Sequence, residues 1–323
     1  MSMPVQIIRQ CVRLAVLAFI IAVPTLTWYR MALNQHAEAV HEDGLGPIEH
    51  FPVKQLDRGL RKLSGSESTA GQTEKIQEQL SHLQGNSWSA QIMGMSLTDP
   101  LAVAEGTAMR RGLSGPLWMG VWIPLVLTVL FGRVFCGWIC PAGFIFELAD
   151  HLRRVLRRLD FRPKNFSFKH SRKFSLLGAC LLVAFVTGAP VLSSTYPPAI
   201  VCREIHTAVI AGLDSTVALT ISGTLIFFVL ILLAELVVSR RMWCRYLCPG
   251  GAIYSALGAA RLFRIKRDSV ACTDCADCIT ACPMGLDPMH DQMGAECDSC
   301  MLCIHSCNDD ALKLLPITSR RPE

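Results

Sequence analysis

The sequence predicts an α-helical integral membrane protein that carries a small, cysteine-rich α+β domain at its C-terminus. Three observations predict it. Of 323 residues, 51% are hydrophobic and only 18% charged, with a mean hydropathy of +0.36; the apolar residues gather into four runs, and a membrane-crossing helix needs about 20 such residues. Basic residues collect in the loops on one side of those runs. Eight of the fifteen cysteines fall within the last fifty-two residues, in two runs of identical spacing.

The first element is an N-terminal membrane anchor over residues 1–29. Its apolar stretch, Leu14 to Tyr29, is the weakest of the four and reaches full length only if Arg9 and Arg13 snorkel back to the interface. Thr25 to Arg30 makes a poor cleavage site, so the segment reads as an uncleaved anchor with Trp28 and Tyr29 at the far interface. Residues 30–114 follow as a long periplasmic loop without cysteine. Leu56, Leu60 and Leu63 share one helical face, as do Ile76, Leu80 and Leu83, which predicts two short amphipathic helices. His36, His41, His50 and His82 in this loop read as solvated surface residues.

The second span, 115–135, carries no charge before Arg133, the third, 174–196, carries none, and the fourth, 217–238, carries only Glu235. Between the second and third lies a cytoplasmic segment, 136–173, with nine Lys or Arg between Arg153 and Lys173 against the single acid Asp160. The periplasmic loop 197–216 has only Arg203, whereas Arg240, Arg241 and Arg245 follow the fourth span in the cytoplasmic segment 239–265. Positive charge is retained on the cytoplasmic side, so both termini face the cytoplasm of a bacterial inner membrane. Beside membrane spans this charge reads as topology, and nucleic acid is not a partner.

The domain over 266–315 holds Cys272, Cys275, Cys278 and Cys282, then Cys297, Cys300, Cys303 and Cys307. Each run is C-x-x-C-x-x-C-x-x-x-C; Pro283 follows the first, and Asn308 stands in that place in the second. This is the bacterial ferredoxin spacing, in which three soft thiolates of one run and the last cysteine of the other hold a [4Fe–4S] cube. The predicted sets are Cys272, Cys275, Cys278 with Cys307, and Cys297, Cys300, Cys303 with Cys282. Zinc needs two C-x-x-C pairs, without a third cysteine at the same step, and disulfides would need an oxidising compartment. The absence of C-x-x-C-H excludes covalent c-type haem, and no phosphate-binding glycine motif occurs.

A second pattern occurs twice, 108 residues apart: Arg133-Val-Phe-Cys136-Gly-Trp-Ile-Cys140-Pro141-Ala-Gly143 and Arg241-Met-Trp-Cys244-Arg-Tyr-Leu-Cys248-Pro249-Gly-Gly251. Each copy follows the cytoplasmic end of a span, which predicts that the four spans form a two-fold parallel repeat. Cys136, Cys140, Cys244 and Cys248 would then meet near one axis. They could ligate a third iron–sulfur cluster, form two redox dithiols, or pack as small apolar groups where proline ends a helix; the ligand role is favoured by their matched placement. Cys11 and Cys180 read as packing residues, and Cys202 has no assigned role. Glu147 and Glu235 are acids near the interface, where solvation and proton carriage both fit.

Together these residues resemble the ferredoxin-type membrane proteins of the NapH group, which also takes in MauN and the membrane half of NosR. The resemblance covers roughly residues 95 to 315, including Leu97-Thr98-Asp99-Pro100-Leu101 and the missing proline after Cys307; the periplasmic segment 30–95 is longer than that group leads one to expect. The resemblance implies a quinol dehydrogenase component that links the quinone pool to a periplasmic redox enzyme such as nitrate reductase, through an iron–sulfur or cytochrome partner. It equally admits an accessory factor that supplies electrons to mature or reactivate a periplasmic metalloenzyme, and a scaffold with structural clusters. No catalytic residue is assigned. A quinone is an implied cofactor, and the turn Thr195-Tyr196-Pro197-Pro198 with His206 is a weak candidate for its site, against the plainer reading of a tight loop at a span end.

Overall fold

The computed structural model describes residues 3–43, 83–86, 89–92, 95–110, 120–160, 166, 168–213 and 222–317. It divides into two compact units. One comprises Met1–Leu17, Thr98–Val201 and Ile221–Glu323; the other comprises Ala18–Leu97 and Cys202–Thr220. In the second unit the described residues include the strands β1 (Leu83–Asn86) and β2 (Ser89–Ile92), an antiparallel pair, with β3 (Met95–Thr98) adding to the same sheet. Leu83 thus opens a strand instead of closing an amphipathic helix. The calls on Leu56, Leu60, Leu63, Ile76 and Leu80 lie outside the described residues, as do those on His50 and His82.

Helix α1 runs from Met3 to Asp43, so residues 30–43, with His36 and His41, continue the helix and are not loop. Its segment Val5–Leu26 is, among the described residues, the one helix long and apolar enough to cross a membrane. Arg9 and Arg13 do not snorkel. They are 0% and 3% exposed, and both donate to the Glu147 carboxylate. The run weakest in hydropathy lies in the longest helix among the described residues, and the two charges before it are paired inside the protein.

The other predicted spans carry shorter helices. Helix α2 (Pro100–Arg110) precedes the second, where α3 covers Trp122–Phe131 and ends at Gly132, with φ of 75°. The third is broken. Helix α5 (Arg172–Thr187) closes at Gly188 in the left-handed conformation, whose N–H caps the Ala184 carbonyl, and after Pro190 the chain re-forms as α6 (Val191–Thr195). A left-handed glycine followed by proline is a strong helix stop, and Gly188-Ala-Pro190 carried that signal within an unbroken apolar run. Helix α7 (Pro197–Leu213) occupies most of the expected loop 197–216. In the fourth span α8 (Gly223–Val237) starts at Ser222, whose hydroxyl accepts from the Leu225 N–H. At about 1.5 Å per residue, these helices fall short of the roughly 30 Å hydrocarbon core.

The segments expected as cytoplasmic loops are also ordered. Helix α4 covers Pro141–Arg158 and α9 covers Pro249–Leu257. The C-terminal domain is closed by β4 (Phe263–Arg267) and β5 (Leu312–Pro316), antiparallel, with Ile265 opposite Leu314. Between them lie the two cysteine runs, each with a short helix, α10 (Asp277–Ala281) and α11 (Leu302–His305). Ile265, Met293 and Leu312 form the small core, joined by Cys278, Cys297 and Cys303. Six such residues make little apolar core, as befits a domain whose interior sulfur is placed to hold metal.

Glu147 on α4 is the junction of the first unit, accepting from Arg9, Arg13 and Arg241. Burial works to raise its carboxyl, and the charges of those arginines outweigh it and bring it down to about 2. Its stabilisation is therefore full above the ordinary carboxylate value of 4.5 and is lost as pH falls through about 2. Removing one partner of a buried ion network leaves the others uncompensated and costs about 3–5 kcal/mol. Glu147→Gln is accordingly expected to lower the thermal midpoint of the detergent-solubilised protein sharply; an unchanged melt would show that the three guanidinium groups find other anions.

Candidate iron–sulfur sites

The two C-x-x-x-C-P turns adopt one local structure. Each begins with a wide helical turn, Phe135–Ile139 in the first copy and Trp243–Leu247 in the second. Each ends at a cysteine with nearly the same backbone, φ −60° and ψ 116° at Cys140, φ −63° and ψ 115° at Cys248. That cysteine caps the next helix: Gly143 N–H donates to Cys140 Sγ and Gly251 N–H to Cys248 Sγ, both at 3.3 Å. Proline takes the first helical position, where its missing N–H is no loss. The result is a thiol held at a helix N-terminus, an environment that favours thiolate.

The four turn cysteines come within electrostatic reach of one another. Burial is the main force pushing up the Cys140 thiol, and Cys136 and Cys248 add to it; Cys244 is pushed up by burial, then by Cys248 among its neighbours. Cys248 reaches about 12, through burial first and Cys136 next. Without metal these sulfurs would therefore be protonated at neutral pH. Yet basic groups crowd them: Arg133 bonds the Cys136 sulfur, Arg241 acts on Cys244, and Lys173 acts on both Cys136 and Cys248. Arg133, Lys173 and Arg241 are 1%, 0% and 3% exposed. The Nε atoms of Arg9, Arg13 and Arg133 are buried without a hydrogen-bond partner. Buried cations beside four thiols, Cys248 buried and Cys136, Cys140 and Cys244 half-buried, fit a centre that carries negative charge, as four thiolates on an iron–sulfur core do.

In the C-terminal domain both runs wrap in the same way. Asp274 and Ala276 flank Cys275 with positive φ, and Ser299 and Met301 flank Cys300 likewise. Paired left-handed non-glycine residues are costly and persist where a site needs them; here they turn the chain tightly round the second cysteine of each run. One small cavity is lined by Cys282, Cys297, Cys300 and Cys303, with Ile265, Met293 and Met301. In the other set, Cys278 is pushed up by burial and then by Cys307 and Cys272. Arg267 donates to the Cys272 sulfur at 3.8 Å, and Thr273 bonds Asp309 two residues beyond Cys307. Cys275 is exposed. Among the described residues no three His, Cys, Asp or Glu side chains close on a position for a single metal ion; a cube spreads its four ligands over four irons.

The second run is bound to the turns by its backbone carbonyls. Cys300 O accepts from Gln6 and Arg9, each at 3.1 Å, Ser299 O from Trp138 at 3.0 Å, and Cys297 O from Arg261 at 3.1 Å. Glu296 pairs with Arg133 at 2.8 Å and with Lys173. Gly137 lets the surfaces meet, since a Cβ there would lie 2.4 Å from the Asp298 carbonyl oxygen. The role of these basic residues was missed in the sequence, although Arg133 and Arg241 open both copies of the repeat. Glu147 and Glu235 are not solvated acids: Glu235 is buried and accepts from the Trp243 N–H at 2.8 Å. Cys180 and Cys202 are buried, Cys11 is exposed, and Tyr196 is packed inside.

The family described as a 4Fe-4S binding domain matches the chain twice, at residues 112–159 and 221–268. Each match contains one C-x-x-x-C-P turn, and neither reaches the eight C-terminal ligand candidates. The chain is 32% identical over 244 residues to the ferredoxin-type protein NapH of Haemophilus influenzae, covering 72% of this chain and 79% of that one. This chain belongs to the NapH family of ferredoxin-type proteins. It is 31% identical to the methylamine utilization ferredoxin-type protein MauN of Paracoccus denitrificans over 62% of this chain and 66% of that one. It is 28% identical to the putative electron transport protein YccM of Escherichia coli, over 57% of this chain and 51% of YccM. No solved structure matches. The NapH-family chain is an iron–sulfur electron-transfer protein of the ferredoxin type.

Gly137→Ala tests the docking. Its methyl group has no room before the Asp298 carbonyl, and overpacking of this kind costs about 1–3 kcal/mol. The variant is expected to melt earlier and to lose iron from the second run before the first, measured by iron and sulfide analysis of anaerobically purified protein.

Proposed function

We propose that this protein carries single electrons between the membrane quinone pool and a periplasmic redox enzyme, using three iron–sulfur centres. Cys272, Cys275, Cys278 and Cys307 would hold one, Cys297, Cys300, Cys303 and Cys282 the second, and Cys136, Cys140, Cys244 and Cys248 the third. Iron–sulfur clusters supply one-electron redox steps without proton chemistry of their own. The chain's part is to exclude water from the sulfurs, to offset their charge with Arg133, Arg241 and Lys173, and to fix the C-terminal domain against the turns. The observation that carries the reading is the gathering of the four turn cysteines, Cys248 buried and the others half-buried, within electrostatic reach of one another and beside Trp138, which donates to the Ser299 carbonyl of the second run. The double family match over the turns supports the third centre.

A multi-span topology with both termini in the cytoplasm belongs to the same reading. Its support is the apolar surface: Leu182 and Val186 on α5, Leu230 and Leu233 on α8, and Trp122 and Val126 on α3 are all exposed. Large exposed apolar faces on successive helices fit lipid contact. The matched turns likewise support a two-fold parallel repeat, with the boundaries set out from the sequence except that 30–43, 100–110 and 197–213 are helical and that Asp99 and Tyr196 pack against the segment 239–265 instead of lying across the membrane from it. The resemblance to the NapH group and the MauN relative's name, which assigns it to methylamine utilization, support a periplasmic redox system as the one served, with maturation of its enzyme as the alternative role.

Anaerobically purified protein is expected to hold about twelve irons per chain, falling to about eight when Cys136, Cys140, Cys244 and Cys248 become serine. Zinc in place of iron would sink the reading, and a count of eight in both proteins would remove the third centre. Reporter fusions after Glu323 and near Arg162 should report cytoplasm and one near Ser66 periplasm; a periplasmic Glu323 would overturn the topology.

A further inference from the structure

The stretch Thr98–Leu101 and the turn at Tyr196 both belong, in the sequence, to the side of the chain opposite the C-x-x-x-C-P turns. In the structure they lie against those turns. Asp99 is 6% exposed; its Oδ1 accepts from the Leu101 N–H at 2.9 Å and from the Tyr254 hydroxyl at 3.4 Å. Tyr254, on α9 directly after the second turn, is 4% exposed, and its ring stacks on Phe135 at 5.7 Å between centroids. Phe135 is the residue before Cys136. Tyr196 closes the other side: a Cβ on Gly250 would lie 2.5 Å from its ring, so only glycine two places after Cys248 admits it. Thr98 N–H bonds the Gly120 carbonyl at 3.1 Å and fixes where this stretch enters.

A capping aspartate before proline at a helix start is ordinary, and most such caps face water. This one is enclosed, and it is shared with a buried phenol that leans on the first turn. Burial, then Asp99, pushes the Tyr254 hydroxyl well above its ordinary value, so it stays a donor. Among the described residues, the titratable groups facing this end of α2 include Tyr254 from α9 and Tyr196 from the junction of α6 and α7. Further along the α2–α5 contact lie Glu105, which accepts from Leu192 and Ser193, and Cys180; Lys173 lies on α5, bonded to Ser255 of α9.

We infer that Asp99 is the proton-coupling residue of the turn centre, with Tyr254 as the hydroxyl that joins the two. This rests on the reading that the four turn cysteines hold a redox centre. One electron from a quinol, or from a chemical reductant in its place, adds negative charge at the turn sulfurs. One proton, released by the quinol or drawn from water, neutralises the Asp99 carboxylate. When the electron leaves, the carboxylic acid gives its proton back to water. Adding charge in a low-dielectric interior is unfavourable unless it is offset close by, and Asp99, hydrogen-bonded to Tyr254, supplies the offset.

The test is a redox titration of the full-length protein in detergent, followed by EPR at several pH values. The turn centre's signal is identified as the one lost in Cys136→Ser and Cys244→Ser. In the parent protein its midpoint potential should fall as pH rises. Asp99→Asn, which keeps the helix cap, should abolish that slope, Tyr254→Phe should flatten it, and Asp99→Glu should retain it, while the C-terminal clusters titrate as before. An unchanged slope in Asp99→Asn with the signal present overturns the inference and leaves the third centre standing. Absence of any signal that depends on Cys136 and Cys244 overturns the third centre and this inference with it.

Discussion

The structure depends on where its buried positive charge is answered. Arg9, Arg13, Arg133, Lys173 and Arg241 are all almost fully buried, and an unpaired buried cation costs several kcal/mol. Each finds its anion or carbonyl on a distant stretch of chain: Arg9 and Arg13 on Glu147 and on the carbonyls of Cys300 and Gly137, Arg133 and Lys173 on Glu296, and Arg241 on Asp150 and Glu147. The N-terminal helix, both turns and the second cysteine run are thereby required to assemble together. Hydrophobic burial alone could not specify this register, because it has no direction. The same cations provide the field that a set of thiolates needs.

The two copies of the turn share a backbone and then divide the work. Position 137 is glycine in the first copy, and the second run lies directly upon it. The equivalent position in the second copy is Arg245, whose guanidinium occupies the space where a side chain at Gly285 would stand, 2.3 Å from its Cβ position. Gly285 has φ of +64° and stands three residues after Cys282 and two after Pro283. One copy therefore holds the loop of Cys297, Cys300 and Cys303, and the other holds the loop of Cys282. These are the two stretches that together line one cavity. A repeat that kept glycine in both copies, or arginine in both, could not grip two loops of such different shape.

How much of this was legible in the sequence depends on the kind of signal. Cysteine spacing is local and chemical, so the two runs and the matched turns could be read directly, and their wrapped backbones follow the same repeat. Hydropathy is an average. It overlooked the stop at Gly188 and Pro190, and it undervalued the first helix, since it counts Arg9 and Arg13 as polar without seeing Glu147. Contacts between distant segments leave still less trace. Asp99 stood in a recognisable stretch before a predicted span, but nothing in one chain indicates that Tyr254 lies across from it. The arginines opening each turn were the readable signal that went unused: a charge at the same place in two copies, next to an apolar run, calls for a buried partner.

The eight C-terminal cysteines are consequently not equivalent, despite their identical spacing. In the first run Cys275 is exposed and its neighbours Thr273, Asp274 and Asp277 face water. In the second, Cys297, Cys300 and Cys303 are all buried, and the carbonyls of Cys297 and Cys300 are taken up by Arg261, Gln6 and Arg9. Hydrogen bonding and burial are the levers by which a protein sets the potential of such a site. The domain therefore has an open end towards solvent and a closed end towards the turns. Spacing alone, being symmetric, is silent on that polarity. It arises because the second run presents the Ser299 carbonyl to Trp138, and the Glu296 carbonyl and carboxylate just before it to Arg133 and Lys173, and because Gly137 leaves room for it and for nothing larger.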